Sequence, residues 1–164
     1  MNQSKPLLLI LILAALAMVT RSQMTQRAAA DSGSSSEGIT KPQSVSFIGS
    51  NAVATAFSKG MPLVENSQFK IHASRRDAPG MAEIHVRDTD IIYVLEGSAT
   101  FITGGTATET NTIAPNEIRG TGIQGGESRR ISKGDVIVVP NGLPHWFQQV
   151  DGPLVYYVVK ITSK

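Results

Sequence analysis

Cysteine is absent from all 164 residues. That excludes disulfides, thiolate metal sites and a lipidated cysteine behind a leader. An exported fold of this kind would rest on its core, on association or on a metal. Strong net charge is missing too. The chain carries 15 Lys+Arg against 13 Asp+Glu, and cleavage after Ser22 would remove Lys5 and Arg21 and leave 13 against 13. The basic character therefore belongs mostly to the N-terminal segment, and no nucleic-acid partner is expected. The sequence also lacks a nucleophile elbow, a phosphate loop, a dinucleotide fingerprint and a solenoid repeat. No apolar run reaches the roughly 20 residues that a membrane span needs.

The longest such run, Pro6–Val19 (PLLLILILAALAMV), follows Lys5 and has the make-up of a secretory signal. Residues 1–22 are read as that signal peptide. Thr20 and Ser22 offer one cleavage site, and Ala28–Ala30 offer a later one. The expected location is secreted or periplasmic, with no stable membrane span once the signal is removed. An uncleaved segment would instead anchor the protein to a membrane. Residues 23–44 are small and polar, with GSSS at their centre. They cannot bury enough surface to offset their ordering entropy and read as a flexible linker. Residues 45–164, about 120 in number, are the size of one domain.

Ser50 as an N-cap, the run NAVATAFSK and Gly60 predict one short helix. Strand-like runs follow: FKIHAS, MAEIHVR, DIIYVLEG, ATFIT, DVIVVP, HWFQQV and LVYYVVKI, separated by DAPG, SKGD, PNGLP and DGP clusters. Many short strands at this spacing predict an all-β sandwich or closed barrel rather than βαβ units. The polar, Gly/Thr-rich segment 104–131 reads as a long loop or ragged hairpin at the mouth of such a barrel.

Two stretches carry chemistry. In MAEIHVR, alternation places Glu83, His85 and Arg87 on one face, while DIIYVLEG is apolar on both faces, as in a strand covered on both sides. If both strands are central, Glu83 and His85 lie inside and need partners, and a divalent metal supplies one for both. In a metal-free interior a cation such as Arg87 would have to take that place. In GDVIVVPNGLPHWFQQ a strand ends at Pro140, turns through Asn141–Gly142, and His145 opens the next with Phe147 and Gln149 on its face. Imidazole plus carboxylate ligands suit zinc, iron, nickel or copper, with manganese favoured as oxygen ligands increase. His72 points away from the apolar face of Phe69, Ile71 and Ala73 and reads as a surface or interface residue. Tyr93 and Trp146, opposite the ligands, read as outer-sheet or subunit-interface residues, and a homodimer is expected. Arg75–Arg76 and Arg129–Arg130 read as solvated turn charges, though either pair near a mouth would orient a carboxylate.

These stretches resemble the two motifs of the cupin superfamily, G-x5-H-x-H-x3,4-E-x6-G and G-x5-P-x-G-x2-H-x3-N. Glu83, His85, Asp90 and Gly97 stand at the positions of the first; Gly134, Pro140, Gly142, His145 and Gln149 stand at those of the second. The runs HVRDTD and GDVIVVPNGLPH are particularly similar to the germin branch. The resemblance implies a small antiparallel jelly-roll β-barrel with metal ligands inside: here Glu83, His85, Asp90 and His145, with Gln149 and Arg87 positioning substrate. The implied cofactor is a divalent ion, manganese, iron, zinc or nickel. The implied activity is a metalloenzyme of oxygenase, decarboxylase or isomerase type acting on a small polar or carboxylate molecule. A non-catalytic small-ligand or metal-binding module and a metal-free structural cupin are the alternatives. Two departures stand out: family members use three His and one Glu, whereas Glu83 and Asp90 give two carboxylates, and Asp90 is one methylene shorter than Glu. Without Asp90, the remaining three form a two-His-one-carboxylate set with open positions.

Overall fold

The computed structural model of the protein describes residues 44–164. The expected signal segment 1–22 and the linker 23–44, apart from its last residue, lie outside the described residues. Helix α1 spans Ser50–Lys59 and ends at Gly60, whose left-handed φ of 64° lets its N–H return to the Ala56 carbonyl. Its cap is Gly49 rather than Ser50: the Gly49 carbonyl accepts from Ala52 and Val53, and no side chain caps the end. Ser50 instead occupies the first turn.

Thirteen strands follow. They are β1 Met61–Glu65, β2 Phe69–Arg76, β3 Ala82–His85, β4 Asp88–Glu96, β5 Ser98–Thr103, β6 Thr106–Thr108 and β7 Asn111–Ala114. Then come β8 Glu117–Gly120, β9 Gly122–Gln124, β10 Glu127–Ser132, β11 Val136–Val139, β12 His145–Val150 and β13 Leu154–Thr162. Every ladder is antiparallel. One sheet has the order β1-β2-β13-β4-β11, a second β10-β5-β12-β3-β8-β7, and β6-β9 form a small ribbon. Each of the seven expected strands is present. The segment 104–131, expected as a loop or ragged hairpin, carries β6 to β9 and most of β10, and β8 is an integral strand beside β3.

The two sheets are held face to face by one apolar cluster, in which Ile92, Val94, Val139, Leu154, Tyr156 and Val158 of one sheet meet Ala99, Phe101, Ile131 and Phe147 of the other. Burying side chains of this size contributes roughly 1.5–3 kcal/mol each. This is a jelly roll, the expected all-β class. Outside it, α1 packs on β2 and β1, with Ala56 buried and Phe57 edge-on to Tyr157 of β13 at 4.7 Å between ring centroids. Among the described residues no helix is long and apolar enough to cross a membrane.

The chain changes sheets at two points that matter for the site. β3 and β4 lie in different sheets, and the chain crosses between them at Val86–Arg87. Their inner faces therefore confront each other across the interior. Gly97 turns the chain from β4 into β5 at φ 81°, and a Cβ there would lie 2.3 Å from the Pro153 carbonyl oxygen. Only glycine fits this position without moving backbone.

Candidate metal centre

Strand β3 presents Glu83 and His85 to the interior, and β12 opens with His145 directly opposite Glu83 in the ladder. The turn before β12 is tied to the end of β3: Gly142 N–H donates to the His85 carbonyl at 2.8 Å, and the Asn141 side chain donates to the Val86 carbonyl at 3.2 Å. The two conspicuous stretches of sequence thus meet through backbone bonds. One ligand atom from each of Glu83, His85 and His145 lies within 4.8 Å of the others, and together these residues could hold a metal ion.

The two imidazoles are oriented alike. His85 Nδ1 is 2.6 Å from Glu117 Oε2, and His145 Nδ1 is 3.3 Å from the Leu143 carbonyl. Both partners accept, so Nδ1 carries the proton and Nε2 turns to the cavity. His85 Nε2 is buried and makes no hydrogen bond. It lies 3.5 Å from Glu83 Oε2 and 3.3 Å from Asp90 Oδ2, while His145 Nε2 lies 3.8 and 3.9 Å from the same oxygens. Ligands about 2.0–2.1 Å from a tetrahedral ion stand roughly 3.3 Å apart. The contacts to Glu83 exceed that separation by a few tenths of an ångström, so the donor set fits a divalent ion. Imidazoles held at Nδ1 by a carboxylate or carbonyl are also what metal-ligating histidines require.

Asp90 reaches the same centre from β4, in the opposite sheet, but Lys160 Nζ donates to both its oxygens, at 2.9 and 2.7 Å. Arg87 does not line the cavity. β3 ends at His85, the two-residue alternation stops with it, and the exposed Arg87 guanidinium donates to the Ser163 carbonyl. Gln149 is displaced for a different reason. A bulge between Phe147 and Gln149 shifts the phase of β12, so Gln149 pairs with Thr100, lies exposed and donates to Asp151 at 2.8 Å. The expected substrate-positioning role of these two residues is thus not supported by where they sit. Nor is Arg87 the internal counter-cation; Arg76, Arg119 and Lys160 take that place.

These residues, with Glu117, were not singled out as site residues, and each has a structural cause. On β2 the apolar face of Phe69, Ile71 and Ala73 packs beneath α1, so the polar face of Lys70, His72, Ser74 and Arg76 lines the cavity. His72 is therefore a half-buried residue of the cavity lining, 2.9 Å from Glu65 and outside the Glu83, His85 and His145 group. Arg76, expected as a solvated turn charge or, near a mouth, as a group that orients a carboxylate, donates to Glu83 Oε1 at 2.5 Å and to the Tyr156 hydroxyl at 3.0 Å, and stacks 4.5 Å over the Phe147 ring. On β8 the ladder places Arg119 opposite Glu83 and Glu117 opposite His85. Arg119 bridges the pair, with Nη1 2.6 Å from Glu83 and Nη2 2.5 Å from Glu117. The only trace of this in sequence is the charged–apolar–charged triplet Glu117-Ile118-Arg119. Of the expected outer residues, Tyr93 is exposed, whereas Trp146 is half-buried and donates to the Gly80 carbonyl at 2.7 Å.

The cavity between the sheets measures about 310 Å³, at the low end for a small-molecule site. Its lining includes the cations Lys70, Arg76, Arg119 and Lys160 and the carboxylates Glu65, Glu83, Asp88, Asp90 and Glu117. Burial alone would lower the His85 pKa, but Asp90, Glu117 and Glu83 outweigh it and raise it to about 10. Burial would raise Glu83, yet His85, Arg76 and Arg119 hold it well below the usual carboxylate range. Burial pushes His145 down, leaving it neutral. Without metal, His85 is therefore an imidazolium among carboxylates.

A jelly roll with two histidines and a carboxylate converging between its sheets defines a small β-protein with a metal-competent interior. More particularly, the chain belongs to the Cupin family, whose family model matches residues 37–164. No curated protein sequence matches the chain. Among solved structures, a protein from Bacillus halodurans is similar at 15% identity over 78% of this chain and 86% of its own, with a TM-score of 0.49. A cysteine peptidase from Thevetia peruviana latex is similar at 16% identity over 58% of this chain, TM-score 0.38. An oxalate oxidase is similar at 20% identity over 58% of this chain, TM-score 0.41. The chain spans 51% of that peptidase and 42% of that oxidase.

Proposed function

We propose that this chain is an exported metal-binding cupin in which Glu83, His85 and His145 hold a divalent ion, manganese, iron, zinc or nickel, and the cavity takes a small carboxylate. The observation that carries this reading is the paired imidazole geometry: two buried histidines, each fixed at Nδ1, turn Nε2 toward Glu83 Oε2, and His85 Nε2 makes no hydrogen bond. A bound ion would supply Lewis acidity, polarising a substrate oxygen. The protein's own contribution is positional. Arg76 and Arg119 fix Glu83, Glu117 fixes His85, and the Phe147 and Tyr156 contacts immobilise Arg76. The four cations of the lining are already paired with carboxylates, so the charge that favours an anionic guest is that of the bound ion. Metal-assisted oxygenation, decarboxylation and isomerisation are the reaction classes such a site suits. Export is supported by Lys5 followed by the apolar run Pro6–Val19, and N-terminal sequencing of the mature protein tests it. Self-association is supported by the exposed Tyr93, Val136 and Val138.

A second reading, a metal-free structural cupin, is favoured by one observation: Glu83 and Asp90 already have Arg76, Arg119 and Lys160 as partners, and a protonated His85 completes the pairing. Metal analysis separates the two. The purified protein should carry close to one ion per chain, and its melting temperature should rise with added Mn²⁺, Fe²⁺, Zn²⁺ or Ni²⁺. The His85→Ala/His145→Ala double variant should lose both properties. If the unaltered protein is metal-free and its melting temperature ignores all four ions, the ion-pair reading replaces the metal one.

A further inference from the structure

We infer that Lys160, by occupying both oxygens of Asp90, withholds this carboxylate from the metal, so that the ion takes three protein ligands rather than four and keeps an additional position open to substrate. The inference rests on the metal reading above. Lys160 and Asp90 are direct ladder partners on β13 and β4, so their side chains meet by register alone. The ammonium donates to both Asp90 oxygens, and Oδ2, the oxygen nearer the two histidines, takes the shorter contact of 2.7 Å. An ion bound to Oδ2 would be drawn beside that ammonium, and like charges in a poorly solvated interior repel strongly.

Glu83 differs in one respect. Arg76 occupies its Oε1 and Arg119 Nη1 lies 2.6 Å from its Oε2, but Arg119 also holds Glu117 through Nη2 at 2.5 Å, so it can yield Oε2 to an ion and keep a carboxylate partner. The other carboxylates that line the cavity near Lys160, Asp88 and Glu117, already have Lys70 and Arg119 as partners. Lys70 is taken by Asp88 at 2.8 Å, and Lys160 itself is ion-paired only with Asp90. Releasing Asp90 would strand a largely buried ammonium, which costs more than an exposed pair would. Lys160 is thus a positioning residue that sets how many ligands the protein supplies.

Mn²⁺ affinity and the water-proton relaxation of bound Mn²⁺, which reports ion-bound waters, test this without any assay of turnover. Asp90→Asn should leave Mn²⁺ affinity within about threefold of the unaltered protein, whereas Glu83→Gln should lose binding by 10-fold to 100-fold or more. Lys160→Met frees Asp90 and should tighten binding by about tenfold, with one fewer exchangeable water. Lys160→Met/Asp90→Asn, which removes both members of the buried pair, should return both readouts to the starting values, and Lys160→Arg should not change them. The idea is overturned if Asp90→Asn weakens binding as severely as Glu83→Gln, or if Lys160→Met leaves affinity and relaxation unchanged; the metal reading survives either result. Should Lys160→Met bind Mn²⁺ while the unaltered protein does not, Lys160 is upheld and the metal reading of the natural site falls. If neither binds, both fall.

Discussion

The interior of this jelly roll has two halves built from the same strands. Inward side chains on β4 run Asp88, Asp90, Ile92, Val94; those on β13 run Lys160, Val158, Tyr156, Leu154; and β12 passes from His145 to Phe147. One half is a charged cavity and the other a dry apolar cluster. A two-residue step along a strand is about 6.6 Å, so the change from ionic to apolar takes a single step. The apolar half fixes register, because a one-residue slip would turn every inward side chain outward. The charged half depends on that register: the pairs Glu83–Arg119, His85–Glu117 and Asp90–Lys160 are all ladder partners. Stability and function are therefore expected to respond to different substitutions.

The largest effect should come from the apolar half. Leu154 is fully buried, so Leu154→Ala should lower unfolding free energy by about 2–5 kcal/mol. Denaturant titration checks this, and metal affinity measured well below the melting temperature should be unchanged. A large loss of affinity would mean that the two halves are not separable. In the charged half, Glu117→Gln weakens the anchor on His85 Nδ1 and should reduce Mn²⁺ affinity by roughly 10-fold to 100-fold, with a smaller change in unfolding. An equal loss of stability without any loss of affinity would make Glu117 a structural residue.

The smallest effect is the pH dependence. In the metal-free protein the raised His85 contributes stability that is fully present below about pH 6.5 and is lost as pH rises through about 10. Metal must displace the Nε2 proton, so Mn²⁺ affinity should strengthen about tenfold per pH unit near neutrality. Titrations at three pH values would show it, and a flat profile would count against His85 as a ligand.

Much of this was legible from the sequence for local reasons. Alternation and turn residues located seven strands, and the spacing of Glu83, His85 and His145 in two recognisable motifs pointed to one centre. Where alternation was extended past a strand end at Arg87, or through a bulge at Gln149, it misplaced the side chain. Arg76 and His72 were hidden because an apolar face normally marks the core, whereas on β2 that face serves the helix. Glu117 and Arg119 lay in a polar segment with no periodic signal long enough to identify a strand.

The sequence by itself determined the β class, the apolar inward rows and the residue types gathered at the centre, because strand periodicity and turn chemistry are local properties of the chain. Only the tertiary structure decided which charges meet there. The partners of Glu83, His85 and Asp90 come from β2, β8 and β13, and the pairing of strands far apart in sequence, not any short-range pattern, places them.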